Sequence, residues 1–183
     1  MTVGTARHRG RAIRATLTAG VVAGIVACLS SCAPPREDGP LTMPPDVDST
    51  CMPADLYEKT AWGTSLINES DERLTVTRVE MTGDEGLTLK SNSLMPSPDY
   101  FLLADAFPPV AQFPKEWPLA ENIDATTIAP REEHVSLVSE IHLVSDSTHG
   151  HLDGLEIFYE NDDGVSYVLR TEHALDIIRG SCA

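Results

Sequence analysis

"GLEIFYENDDGVSYVLRT", residues 154–171, is the stretch that decides the fold. Two runs, "LEIFYE" and "VSYVLRT", are rich in branched and aromatic side chains, which fit a pleated surface. Between them stands Asn161-Asp162-Asp163-Gly164. An Asp-Gly step supplies the backbone freedom that a tight reversal needs, so the stretch predicts a β-hairpin. A calcium loop would need alternating acids and a distal glutamate, and neither is present.

Working outward, the same signals recur. "HVSLVSEIHLVS", residues 134–145, sets Val135, Leu137, Ile141 and Leu143 against His134, Ser136, Glu140 and His142. That alternation predicts a strand with one apolar face. "WGTSLIN" (62–68), the turn "ESDE" and "RLTVTRVEMT" (73–82) predict a second hairpin. In the latter run Leu74 and Val76 share one face, whereas Val79 and Met81 are shifted by one, which predicts a bulge near Thr77 and Arg78. "GLTLK" (86–90) follows the turn "TGDE", and residues 174–179 read as a last strand over a short helix. Residues 91–131 hold seven prolines, with room for short strands around Tyr100 to Leu103 and near Ile128. No stretch has the period of an amphipathic helix of ten or more residues. Six to eight short strands in a domain spanning residues 51–183 predict an all-β antiparallel β-sandwich, with an open β-barrel as the alternative.

The N-terminus is of another kind. Arg7, Arg9, Arg11 and Arg14 precede a mostly apolar or small run, residues 17–29. That run has the length of a secretory h-region and falls short of the ~20 residues that span a bilayer. Leu29-Ser30-Ser31-Cys32 follows. It resembles the lipobox of bacterial lipoproteins. The resemblance implies a signal peptide over 1–31, diacylglyceryl transfer to the Cys32 sulfur, cleavage before Cys32, and a protein held outside the cytoplasm on the membrane by lipid. Cys28 would be lost with the signal. Residues 32–50 hold five prolines and read as an extended tether of roughly 50 Å at most.

The hairpins "WGTSLIN…RLTVTRV" and "GLEIFYENDDGVSYVLRT" also look like the opening and closing hairpins of small secreted immunoglobulin-like domains of actinobacteria, most without an assigned activity. The Cys…Trp…Cys core of antibody domains is absent, because Cys51 and Cys182 stand at the two ends of the domain. Outside the cytoplasm such a pair is expected to form a disulfide.

Charge narrows the function. Without residues 1–31 the chain keeps nine basic residues against 28 acids, a net charge of −19. That surface repels phosphate backbones, so nucleic acid is not the expected partner. No Gly-x-Ser-x-Gly elbow, Ser-x-x-Lys, His-Glu-x-x-His or P-loop occurs, and no cofactor motif. The expectation is a non-catalytic binding or scaffolding domain with an envelope protein as partner. Paired carboxylates keep a hydrolase open as an alternative. A Zn²⁺ or Cu²⁺ site at His149 and His151, within "DSTHGHLD", is the other alternative, against a solvated loop turning at Gly150 and Gly154. Residues 95–117, "MPSPDYFLLADAFPPVAQFPKEW", contain five of the ten aromatics. Tyr100, Phe107, Phe113 and Trp117 are therefore candidates for a partner surface, the competing reading being that the rings cap the sandwich core.

Overall fold

The structure is a computed structural model. It describes residues 34–44, 49–54, 59–96, 101–104 and 106–182, with the backbone alone for 101–104 and Ala125. Residues 1–31, Cys32 and Tyr100 lie outside the described residues.

Among the described residues twelve strands follow in order: β1 (Leu41–Thr42), β2 (Thr50–Pro53), β3 (Lys59–Asn68), β4 (Leu74–Thr82), β5 (Leu87–Pro96), β6 (Phe101–Ala104), β7 (Glu121–Asn122), β8 (Val135–Leu143), β9 (His149–Leu152), β10 (Gly154–Asn161), β11 (Ser166–Arg170) and β12 (Leu175–Ile178). The largest sheet runs β1-β3-β8-β5-β7, with β6 also on β3. The order β11-β10-β4 makes a second sheet, and β2-β12-β9 a third. The named strands pair antiparallel except β2 with β12. The sheets do not close on themselves, so the fold is the β-sandwich and not the barrel.

The alternation read along β8 sets the layers. Leu137 and Ile141 are fully buried in a core with Trp62 and Leu66 of β3, Leu74 and Val76 of β4, Leu155, Ile157 and Tyr159 of β10, and Leu175 of β12. The hairpin of β10 and β11 turns at residues 161–164, where Gly164 takes a φ of +75°. In β4 the register against β10 slips, so that Phe158 faces Arg78 and Tyr159 faces Val76. Thr77 is the extra residue, which is why the apolar face changes parity there.

Three expectations need correction. Residues 146–153 are not simply a solvated loop: His149–Leu152 is β9, paired with β12. Its Gly150 faces the core, where a Cβ would come within 2.3 Å of Leu87.

The domain also begins earlier than residue 51. The compact unit is Pro34–Ala183, and residues 34–42 are bound to it. The Arg36 amide donates to the Ser166 carbonyl (3.0 Å), and the Val168 amide donates to the Arg36 carbonyl (2.8 Å). Leu41 is 2% exposed, and its amide donates to the Tyr159 hydroxyl. Burial raises the pKa of that phenol to about 12, against the opposing effect of the Leu41 bond. Prolines favour an extended backbone but do not keep it from an open strand edge. Here the buried Leu41 side chain acts together with the backbone hydrogen bonds of Arg36, Pro40 and Leu41 to offset the freedom of a stalk.

The third correction concerns the outer face of the large sheet, which the alternation assigns to solvent. Ser136 and Val138 on that face are fully buried. Val138 packs with Ala61, Met95 and Phe113, and Phe107 and Trp117 lie against the same cluster. The proline-rich crossover thus forms a third layer.

Candidate functional site

Cys51 and Cys182 form a disulfide that closes a separation of 131 residues. Phe113 is 9% exposed, and the Phe107 and Trp117 rings meet edge to face at 5.2 Å. Phe113 is thus buried and Phe107 and Trp117 are half-buried, and the three rings pack together as a cap. The cap sits on the outer side of the large sheet, not on the end of the sandwich core.

A concave feature adjoins that cap at Leu119. An open groove of about 390 Å³ has Leu94, Ile128 and Val135 as its floor and Pro96, Leu119 and Ala129 among its walls. Glu121, Glu132 and His134 line it as well. Its parts come from both layers. Leu94 is held between Leu137 of β8 and Glu121 of β7 in the large sheet. Ile128 exchanges two backbone hydrogen bonds with Leu74 of β4, at 2.8 and 3.0 Å. Leu119 ends a short 3-10 turn, Trp117–Leu119, and is 63% exposed. The Glu132 carboxylate accepts the His134 amide at 3.0 Å. An apolar floor with carboxylates and no lysine or arginine in its lining suits an apolar or cationic group, and opposes an anionic one. Sequence reading missed Leu94, Leu119 and Glu121. The only local signal was Leu119 beside Pro118 in a segment without periodicity.

The histidine pair is on the outward face of the small sheet. Alternation along β9 turns His149 and His151 away from the core, and register places Asp176 of β12 opposite His151. His149 Nε2 and His151 Nδ1 both lie against Asp176 Oδ1, at 2.8 and 2.9 Å. His151 Nε2 meets Asp153 Oδ1 at 3.0 Å. A carboxylate only accepts, so contacts at both ring nitrogens favour the imidazolium form of His151. Hydrogen bonds to Asp176 and Asp153 raise the His151 pKa above its ordinary value. Burial acts to raise the Asp176 pKa, but the hydrogen bonds from His149 and His151 outweigh it and the net shift is downward. Three of the four imidazole nitrogens are thus engaged by carboxylates. Among the described residues no group of three or more His, Cys, Asp or Glu is placed to hold a metal ion.

A third constellation joins Ser91, Glu140 and His142 on the outer face of the large sheet. Ser91 Oγ donates to Glu140 Oε2 at 2.8 Å, and His142 Nε2 lies 2.8 Å from Glu140 Oε1. The carboxylate stands in the middle. A hydroxyl nucleophile needs the imidazole beside it and the carboxylate behind, which is the opposite order. Burial works to raise the Glu140 pKa, yet the bonds from His142 and Ser91 prevail and lower it. A carboxylate so stabilised is a weak base.

No protein-family model, no curated protein and no solved structure matches the chain.

Proposed function

We propose that this chain is a membrane-anchored extracytoplasmic lipoprotein whose β-sandwich binds an envelope partner without catalysis. One observation carries the binding role: the groove between β5, β7 and the Thr126–Ala129 bridge to β4, with Leu119 63% exposed at its wall. An exposed leucine beside an apolar floor loses water contact only when something occupies the groove. The lipobox at Leu29 to Cys32 supports the anchor. The Cys51–Cys182 disulfide supports an oxidising compartment, since such bonds persist outside the cytoplasm.

Two measurements test this reading. Cys32→Ala should remove the protein from the detergent phase; unchanged partitioning refutes the anchor. A photo-crosslinking side chain at Leu119 should yield a discrete adduct in intact cells. Val144, 42% exposed and outside the groove lining, is the control position. Equal adducts from both positions, or none from Leu119, refute the groove as the binding site.

A further inference from the structure

The binding of residues 34–42 to the sandwich has a consequence for where the domain sits. The geometry points to a lipoprotein without a free stalk, in which the lipid surface lies directly against the end of the sandwich that carries the β10–β11 turn. This inference rests on the anchor proposed above.

Only Ala33 separates Cys32 from Pro34, the first residue of the compact unit. Arg36 is already fixed by two backbone hydrogen bonds, to Ser166 and Val168. An extended chain spans at most ~3.5 Å per residue, so Cys32 stays within about 14 Å of Arg36. The full length of residues 32–50 would have allowed roughly 50 Å.

Direction follows from register. Arg36 bridges Tyr167 in parallel, so the chain before Arg36 heads back toward Ser166 and the turn at residues 161–164. The opposite end of the same layer carries Gly154, paired with Thr82. Along β10 the two ends are separated by seven residue steps of ~3.4 Å, or about 24 Å. A lipid at Cys32 therefore keeps the turn near the headgroups and the loop after Thr82 away from them.

The clamp is built, not incidental. Glu37 pairs with Arg170, the Glu69 amide donates to the Pro40 carbonyl at 3.0 Å, and β1 pairs with Asn68 and Ile67 of β3. Gly39 passes so close to Tyr159 that a Cβ would lie 2.0 Å from its hydroxyl. Any larger residue at position 39 must lift the segment. The turn carries Asp162 and Asp163, so an anionic bilayer would repel it and the short connection must hold it there.

The experiment uses the full-length protein, processed in cells and reconstituted into phosphatidylcholine vesicles doped with a headgroup-nitroxide lipid. Cysteines introduced by Asp163→Cys or Asp84→Cys carry a fluorophore. Both sites are exposed and lie at the two opposite ends. The inference expects severalfold stronger quenching at position 163 than at 84. Inserting twenty Gly and Ser residues between Ala33 and Pro34 should abolish the difference, and Gly39→Val should reduce it. Equal quenching in lipidated, vesicle-bound protein overturns the inference and leaves the anchor standing. Absence of lipid mass on Cys32 overturns both. A gradient that survives the insertion also overturns it, because the short connection would then not be its cause.

Discussion

On the inner face of β8, Leu137 and Ile141 meet the other two sheets; on the outer face of the same strand, Val138 packs with Phe113. Both sets are buried, yet for different reasons. The inner side chains belong to a cluster drawn from all three sheets, β1 and β2 included. The outer ones lie beneath a single proline-rich crossover, in a cluster of four buried residues. The first is a core shared by the whole topology, and the second is a local lid. Burial alone does not tell them apart. What differs is how many elements lose their packing when one side chain goes.

Truncation should expose that difference. Leu137→Ala removes a fully buried side chain from the shared core and should cost about 4 kcal/mol, read from denaturant unfolding. Phe113→Ala takes a larger ring from the lid, but that ring is 9% exposed and its neighbours can settle toward the sheet. It should cost less, about 3 kcal/mol. A loss at Phe113 equal to or greater than that at Leu137 would mean two equivalent cores, and the distinction would fail.

A smaller effect sharpens the contrast with the small sheet, whose outward face stays in water. There His151, Asp176 and Asp153 form hydrogen-bonded ion pairs, with His149 on the same carboxylate. The folded pKa of His151 is raised from 6.5, so its contribution is full below pH 6.5 and is lost as pH rises through the raised value. The Asp176 pKa is lowered from 3.8, so its contribution is present above pH 3.8 and is lost as pH falls through the lowered value. The gap in melting temperature between wild type and His151→Gln should therefore be widest between pH 3.8 and 6.5 and should shrink in alkali. A gap that does not vary with pH would show that the imidazole acts by packing alone.

The smallest effect is expected beneath the lid. Ser136 is fully buried and its hydroxyl has no hydrogen-bond partner among the described residues. Ser136→Ala removes an unpaired polar atom and keeps the volume nearly unchanged. Stability should stay level or rise by up to ~1 kcal/mol. A loss above that size would reveal a partner for the hydroxyl and a more polar lid interface than the packing shows.

Legibility along the chain follows how far apart the deciding partners are. The β10–β11 hairpin was readable because its turn and both strands lie within seventeen residues, Gly154 to Arg170. The bulge at Thr77 was readable because it leaves a parity change within one strand. The groove was not, since Leu119, Ile128 and Val135 acquire a common meaning only when Ile128 docks on Leu74. For the histidines, the residue types were visible and the partner was not: Asp176 arrives from β12, 25 residues from His151.

By itself, then, the sequence determined the side-chain alternation, the hairpin turn, the all-β class and the pairing of the two domain cysteines. Each depends on local backbone geometry or on the chemistry of a residue type. Tertiary structure alone decided that residues 34–42 bind the sandwich instead of forming a stalk. It also decided that the crossover covers the outer sheet face, and that both histidines turn to one aspartate. Those outcomes depend on which apolar surfaces and strand edges remain open once the sheets have formed. Hydrophobic attraction has no direction, and it draws to such surfaces whatever chain lies within reach.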